Sequence, residues 1–216
     1  MQIQGFQNYN NQSFSGLGLQ TFKNANKRID VYKLTKNDTD FIDRALNIIK
    51  GQQFPKDSLA IGEGSNRNIF EKALKKVQTH QNSKTLVAIE DNKRIAGVLD
   101  IDNYADNEIK GMICLGQGKK DTRESLLFSA IKCLEPTNDE TLSVVVKSAN
   151  LSDTIKQFFN KFGFKSEGRG EQKQMFLEFK DFAKNTGKYS AESNFKITNP
   201  HGTNDVPLTQ VLKLDE

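Results

Sequence analysis

Thr85-Leu-Val-Ala-Ile-Glu-Asp-Asn-Lys-Arg-Ile-Ala-Gly-Val-Leu-Asp-Ile101 is the stretch that decides the architecture. Two apolar runs, 85–89 and 94–101, flank Glu90-Asp-Asn-Lys93, whose Asp and Asn tolerate the backbone of a tight turn. The stretch therefore reads as an antiparallel hairpin. After a polar turn at 103–107, Glu108-Ile-Lys-Gly-Met-Ile-Cys-Leu115 continues as a third strand of the same meander.

Working outward toward the start, Ile69, Phe70, Ala73, Leu74 and Val77 recur at helical spacing. So do Phe41, Ile42, Ala45, Leu46, Ile48 and Ile49, behind the capping residues of Asn37-Asp-Thr-Asp40. The segment 51–65 between these helices holds Pro55 and three glycines and reads as a loop. Residues 28–34 form a short strand ahead of them. Working outward toward the end, the loop 116–121 leads into a helix marked by Leu126, Leu127, Ala130, Ile131 and Leu134. A buried-looking strand follows at 142–146. Leu151, Ile155, Phe158, Phe159 and Phe162 mark the next helix, closed by Gly163, and two strands near 164–166 and 174–179 end the series. This order predicts an α+β fold with a central mixed β-sheet flanked by helices.

Nearly all periodic hydrophobicity lies in residues 28–182, which are read as the domain. Residues 1–27, rich in Asn, Gln, Ser and Gly, are read as a polar N-terminal arm. Residues 183–216 are read as a C-terminal extension in which 195–197 and 206–214 are candidate short strands.

Composition narrows the function. The 216 residues are 36% hydrophobic, enough for a packed core. A formal charge of +4, with both signs interspersed, lacks the dense basic stripe of a nucleic-acid binder. No run approaches the roughly 18 apolar residues of a membrane span. The start of the chain lacks the charged and apolar regions of a signal peptide, and Cys114 and Cys133 read as free thiols. A cytoplasmic protein with neither nucleic acid nor membrane as partner is expected. His80 and His201 stand alone in their segments, so no metal site is expected. Neither a Gly-x-Ser-x-Gly elbow nor a Gly-Lys-Ser/Thr phosphate loop is present.

Three places resemble the GCN5-related N-acetyltransferase (GNAT) superfamily, over about residues 28–182. Leu86–Leu99, with Gly97 two residues after Ile95, is similar to the family's second and third strands. The strand–loop–helix 108–134 sits where the family binds coenzyme A. Ser152–Phe164, ending Phe-Phe-Asn-Lys-Phe-Gly-Phe, is similar to the family's closing helix. The resemblance implies a GNAT-like acyl-CoA N-acyltransferase fold, with acetyl-CoA as co-substrate and a small-molecule or peptide amine as acceptor. The chain would act as a monomer or homodimer.

The resemblance also implies a site. Strands 108–115 and 142–146 would part, leaving main-chain donors near Ile113, Cys114 and Leu115 to face pantetheine and the thioester oxygen. A helix N-terminus carries about half a positive charge and suits phosphate. Gly118, Lys119, Lys120 and Arg123 at that terminus would hold the diphosphate, and Asn150 resembles a family Asn beside the cofactor. Glu108 is the candidate catalytic base, with Asp100 and Asp102 as further carboxylates on the neighbouring strand.

The chain also departs from the family. Lys120 and Thr122 stand where small residues are usual after Gln117, and Asp121-Thr-Arg-Glu124 reads as a capping box that would satisfy the same N–H groups as a phosphate. Phe159 occupies the position of the family's Tyr acid. A thiol leaves as thiolate at pH 7 for about 2 kcal/mol, whereas freeing an alkyl ammonium costs roughly 4.6 kcal/mol, so the base matters more than the missing acid. These departures motivate a second reading, a non-catalytic domain of the same fold that has lost coenzyme A binding and serves in binding or assembly.

Overall fold

The computed structural model describes residues 17–51, 53–54, 57, 59–80, 83–102, 107–116, 118–135, 141–147, 152–168 and 172–199. Among these residues nine strands form one mixed sheet: β1 (Leu17–Lys23), β2 (Arg28–Lys33), β3 (Ser83–Glu90), β4 (Arg94–Asp102), β5 (Asn107–Cys114), β6 (Thr141–Lys147), β7 (Lys165–Glu167), β8 (Gln172–Glu178) and β9 (Lys196–Thr198). Their spatial order is β7-β8-β6-β5-β4-β3-β2-β1-β9. The helices are α1 (Thr39–Lys50), α2 (Asn66–Thr79), α3 (Lys119–Leu134), α4 (Asp153–Lys161) and α5 (Phe182–Glu192). The α+β architecture is thus the one the order of elements predicts.

The meander forms as its sequence dictates. Asp91 and Asn92 adopt φ of 51° and 59°, the left-handed turn that joins β3 to β4. Gly97 is required by close approach, because a Cβ there would lie 2.8 Å from the Ile113 carbonyl oxygen on β5.

Helices cover both faces of the sheet. One apolar cluster gathers α1 and α2, through Phe41, Ile42, Phe70 and Leu74, against Val87, Val98 and Ile113. The other gathers α3, α4 and α5, through Leu126, Ile131, Phe159 and Tyr189, against Leu86, Leu99 and Met112. Among the described residues no helix is long and apolar enough to cross a membrane.

The boundaries at 27 and 183 divide elements that the sheet unites. Residues 17–23, read from sequence as part of the arm, pair with β2 and β9. Phe22 holds this strand: it is fully buried, edge-on to Phe128 at 5.5 Å and to Phe195 at 6.4 Å. Residues 183–192, read as extension, belong to α5, whose Phe182, Thr186 and Tyr189 are buried at helical spacing. The strand at 195–197 is present as β9, whereas the candidate at 206–214 lies outside the described residues.

Candidate functional site

Among the described residues the only parallel pair is β5 with β6, and its registered partners are Asn107↔Leu142, Glu108↔Ser143 and Ile109↔Val144. Past them each strand follows its other neighbour: β5 stays on β4 as far as Gly97↔Cys114, and β6 stays on β8 as far as Lys147↔Gln172. The two strands therefore part at one end. A bulge at Lys110 on β5, between the pairs Asp100↔Gly111 and Ile101↔Ile109, coincides with the parting.

Main-chain direction alternates along an antiparallel ladder, which decides which donors face the gap. The Leu115 N–H donates to the Ala96 carbonyl at 2.7 Å. Leu115 and Ile113 thus turn their N–H groups toward β4, and Met112 and Cys114 turn theirs toward β6. Of the three sequence candidates only Cys114 faces the opening. Ile113 and Leu115 do not, and Met112 was missed; the two-residue parity of the strand was the signal that could have separated them.

The expected bare donors are already engaged. Met112 N–H donates to the Ile61 carbonyl and Ile61 N–H donates to the Met112 carbonyl, both at 2.9 Å. Cys114 N–H donates to Asp57 Oδ2 at 3.1 Å, and Arg123 Nη2 donates to Asp57 Oδ1 at 2.6 Å. The Arg123 and Asp57 side chains are only 5% and 2% exposed. Arg123 also lies 5.8 Å from the centre of the Phe158 ring on α4, and its Nε has no hydrogen-bond partner among the described residues. A segment of the loop 51–65 thus fills the gap from within. Its carboxylate goes there because a buried guanidinium and an unpaired strand amide both need an acceptor.

This placement corrects the expectation for Arg123, which turns inward to Asp57 instead of outward to a diphosphate. It also removes the expected capping box. α3 starts at Lys119 behind Gly118 at φ 75°, with no side-chain cap, and Glu124 instead pairs with Lys161 of α4 at 2.8 Å. The N-terminus of α3 is nevertheless cationic. Lys27 Nζ approaches so closely that a Cβ on Gly118 would lie 2.5 Å from it, and it pairs with Glu90 at 2.9 Å and Asp121 at 3.6 Å. Arg94 packs on Gly116 and pairs with Glu90. Burial tends to raise the Glu90 carboxyl, but hydrogen bonds from Arg94 and Lys27 outweigh it and hold the group below the ordinary glutamate range. Lys119 and Lys120 occupy the first turn, as expected. Asn150 and Gln117 lie outside the described residues.

Beside the parting strands, on the α2 side, opens a cleft of about 1180 Å³, lined among others by Ile61, Lys72, Lys76, Asp100, Glu108 and Val145. Glu108 stands on its wall, a quarter exposed and paired with Lys110 at 2.5 Å. Asp100 is buried and committed: Lys76 Nζ donates to it at 3.0 Å and Thr85 Oγ1 at 3.2 Å. Asp102 lies 3.4 Å from the same ammonium. Of the three carboxylates expected from sequence, Glu108 and Asp100 line the cleft and Glu108 is the more exposed; Glu63 lines it as well. Burial pushes the Cys114 thiol up to about 12, so it stays protonated at neutral pH and is no nucleophile. Phe159 is fully buried among Phe158 and Phe164 and has no proton to give.

The arrangement does not admit an acyl-coenzyme A as it stands. The main-chain donors of the β5 edge are taken, Arg123 occupies the space between Cys114 and Phe158, and the approach to Gly118 is filled by Lys27.

No protein-family model and no curated protein matches the chain. Among solved structures it is similar to an N-acetyltransferase from Staphylococcus aureus Mu50, at 16% identity over 70% of this chain and 97% of that one, with a TM-score of 0.49. It is also similar to the dodecameric spermidine N-acetyltransferase from Vibrio cholerae, at 15% identity over 71% and 95%, TM-score 0.47. A third is apo FdhC, a nucleotide-linked sugar GNAT, at 14% identity over 82% and 97%, TM-score 0.47. At such identities these are likenesses of chain path.

Proposed function

We propose that the chain is an N-acyltransferase of the acyl-coenzyme A type, acting on an amine, whose thioester edge is covered by its own Asp57 and Ile61 in the present conformation. The observation that carries this reading is the parting of β5 from β6 after Ile109 and Val144, beside a cleft roomy enough for a small-molecule or peptide amine. Acetyl-CoA would supply the acyl group.

Within the chain, Glu108 is assigned to the amine. Its carboxylate would hold an ammonium group of the acceptor by charge, roughly 20 Å along β5 from the Cys114 amide. With Cys114 protonated and buried, transfer would be direct, without an acyl-enzyme. Lys119 and Lys120 remain the residues assigned to the diphosphate. The test is release of free thiol from acetyl-CoA in the presence of polyamines or peptide amines. Glu108→Gln is expected to raise KM for the amine by about 10-fold or more, with a smaller change in kcat. An absence of thiol release with every amine class would contradict the assignment.

The second reading, a binding or assembly domain without coenzyme, is favoured by one observation: the Asp57–Arg123 pair that takes the Cys114 amide. The two readings separate on thermal unfolding. A ligand at 100 times its Kd stabilises by about 2.7 kcal/mol, and the coenzyme-free domain shows no such gain.

A further inference from the structure

Asp57 is gripped by two donors from distant parts of the chain. One carboxylate oxygen receives the Cys114 main-chain N–H at 3.1 Å, and the other receives Arg123 Nη2 at 2.6 Å and the local Leu59 N–H at 3.2 Å. We propose that Arg123 and the Cys114 N–H form a pocket for the carbonyl oxygen of an acyl thioester, which Asp57 fills as an internal, displaceable occupant. The proposal rests on the transferase reading and adds to it a side-chain donor and a competitor.

The Cys114 donor is fixed independently of Asp57. Cys114 is held in register with Gly97 by the β4–β5 ladder. Arg123 leaves the first turns of α3, is almost wholly buried and lies on the Phe158 ring. Cys114 is thus placed without the loop, and Arg123 is placed by α3, the Phe158 ring and Asp57 together. The loop meets the strand through Asp57 and the paired Ile61 and Met112 main chains, and it packs on α2 through Phe54, 5.8 Å from the Phe70 ring. A buried guanidinium cannot lose its charge, so the pocket needs an oxygen acceptor at all times. The Arg123 Nε, without a partner among the described residues, is a spare donor aimed from the same group. A carboxylate and a polarised carbonyl present the same sp² oxygen to such donors, and a carbonyl that gains negative charge during attack resembles the carboxylate more closely still.

Competition sets the expected results. Asp57→Asn keeps the size of the occupant and an acceptor oxygen and removes its charge, so it weakens the occupant, at a cost in stability. Calorimetric titration of the full chain with acetyl-CoA should give at least about tenfold tighter binding for Asp57→Asn than for the unaltered chain, and adding Arg123→Gln should remove that gain. Equal affinity of the unaltered chain and Asp57→Asn overturns the proposal while leaving the transferase reading in place. No binding by any of the three overturns both. An equal effect of acetate alone shows a free-carboxylate pocket and overturns the thioester assignment. Should the variants fail to fold, the unaltered chain still decides the matter. The infrared carbonyl band of acetyl-CoA labelled with ¹³C at the thioester carbon should move to lower wavenumber on binding, and an unmoved band overturns the proposal.

Discussion

Arg123 Nη2 lies 2.6 Å from Asp57 Oδ1, joining the second turn of α3 to the loop between α1 and α2, with both side chains almost wholly buried. Such a pair is costly to break from one side, because the survivor remains charged in a water-poor place. Arg123→Met alone is expected to lower stability by about 3–5 kcal/mol. The double change Asp57→Asn with Arg123→Met is expected to cost less than the sum of the singles by about 1–3 kcal/mol. Urea unfolding of the four proteins measures this coupling, and simple additivity would show that the two groups do not depend on each other.

Glu90 provides an acid-side dependence. Its carboxyl sits below the ordinary value because hydrogen bonds and charge from Arg94 and Lys27 outweigh its burial. A depressed folded value means that the stabilisation is fully present above the unfolded value, 4.5. It is lost as pH falls through the lower folded value. Asp38 works in the opposite sense. Burial raises its carboxyl despite hydrogen bonds from Thr35, so its contribution is present below the unfolded value and is lost as pH rises through the folded one. Glu90→Gln should therefore flatten the loss of stability at acid pH, measured as unfolding free energy from about pH 6 down to about pH 3. An unchanged slope would contradict the ion-pair account of the α3 terminus.

Phe22 tests whether β1 belongs to the domain. It is fully buried between Phe128 and Phe195, so Phe22→Ala is expected to cost about 3–5 kcal/mol, as for other buried aromatic truncations. A loss below about 1 kcal/mol would mean that residues 17–23 are dispensable.

Two tyrosines should ionise late. Burial pushes Tyr32 up to about 12, with the Asp30 charge adding to it. Tyr189, stacked on Phe162 at 4.9 Å, is raised further by burial and by the Glu124 charge. Phenolate absorbance followed past pH ~10, where free tyrosine ionises, should therefore lack both. Tyr32→Phe and Tyr189→Phe should leave the step near pH 10 unchanged, and a diminished step would place the altered residue in water.

The meander was legible because its signals are local: alternating apolar runs, and Asp91 and Asn92 in the turn. Gly97 and the aromatic ending of α4 were equally local. β1 and α5 were not legible. In β1 Phe22 is fully buried while Leu19 is only partly so, and 182–192 carry Asn185 and Gly187 within a helix anchored mainly by Phe182 and Tyr189. Those anchors have meaning only when Phe128, Phe162 and Phe195 from other elements come to meet them. The positions of Glu108 and Cys114 on β5 and of Lys119 and Lys120 in the first turn of α3 were readable from strand and helix patterns. Asp57 was not, since one acidic residue in a polar loop carries no period, and its role comes from reaching Cys114 and Arg123 across the fold.

The most direct test follows the main-chain amides of Met112 and Cys114 by nuclear magnetic resonance while acetyl-CoA is added to the full chain. Both signals should move together and saturate, as Ile61 and Asp57 give way to the thioester arm. Signals that stay still at millimolar acetyl-CoA would contradict the claim that the free edge of β5 receives an acyl donor.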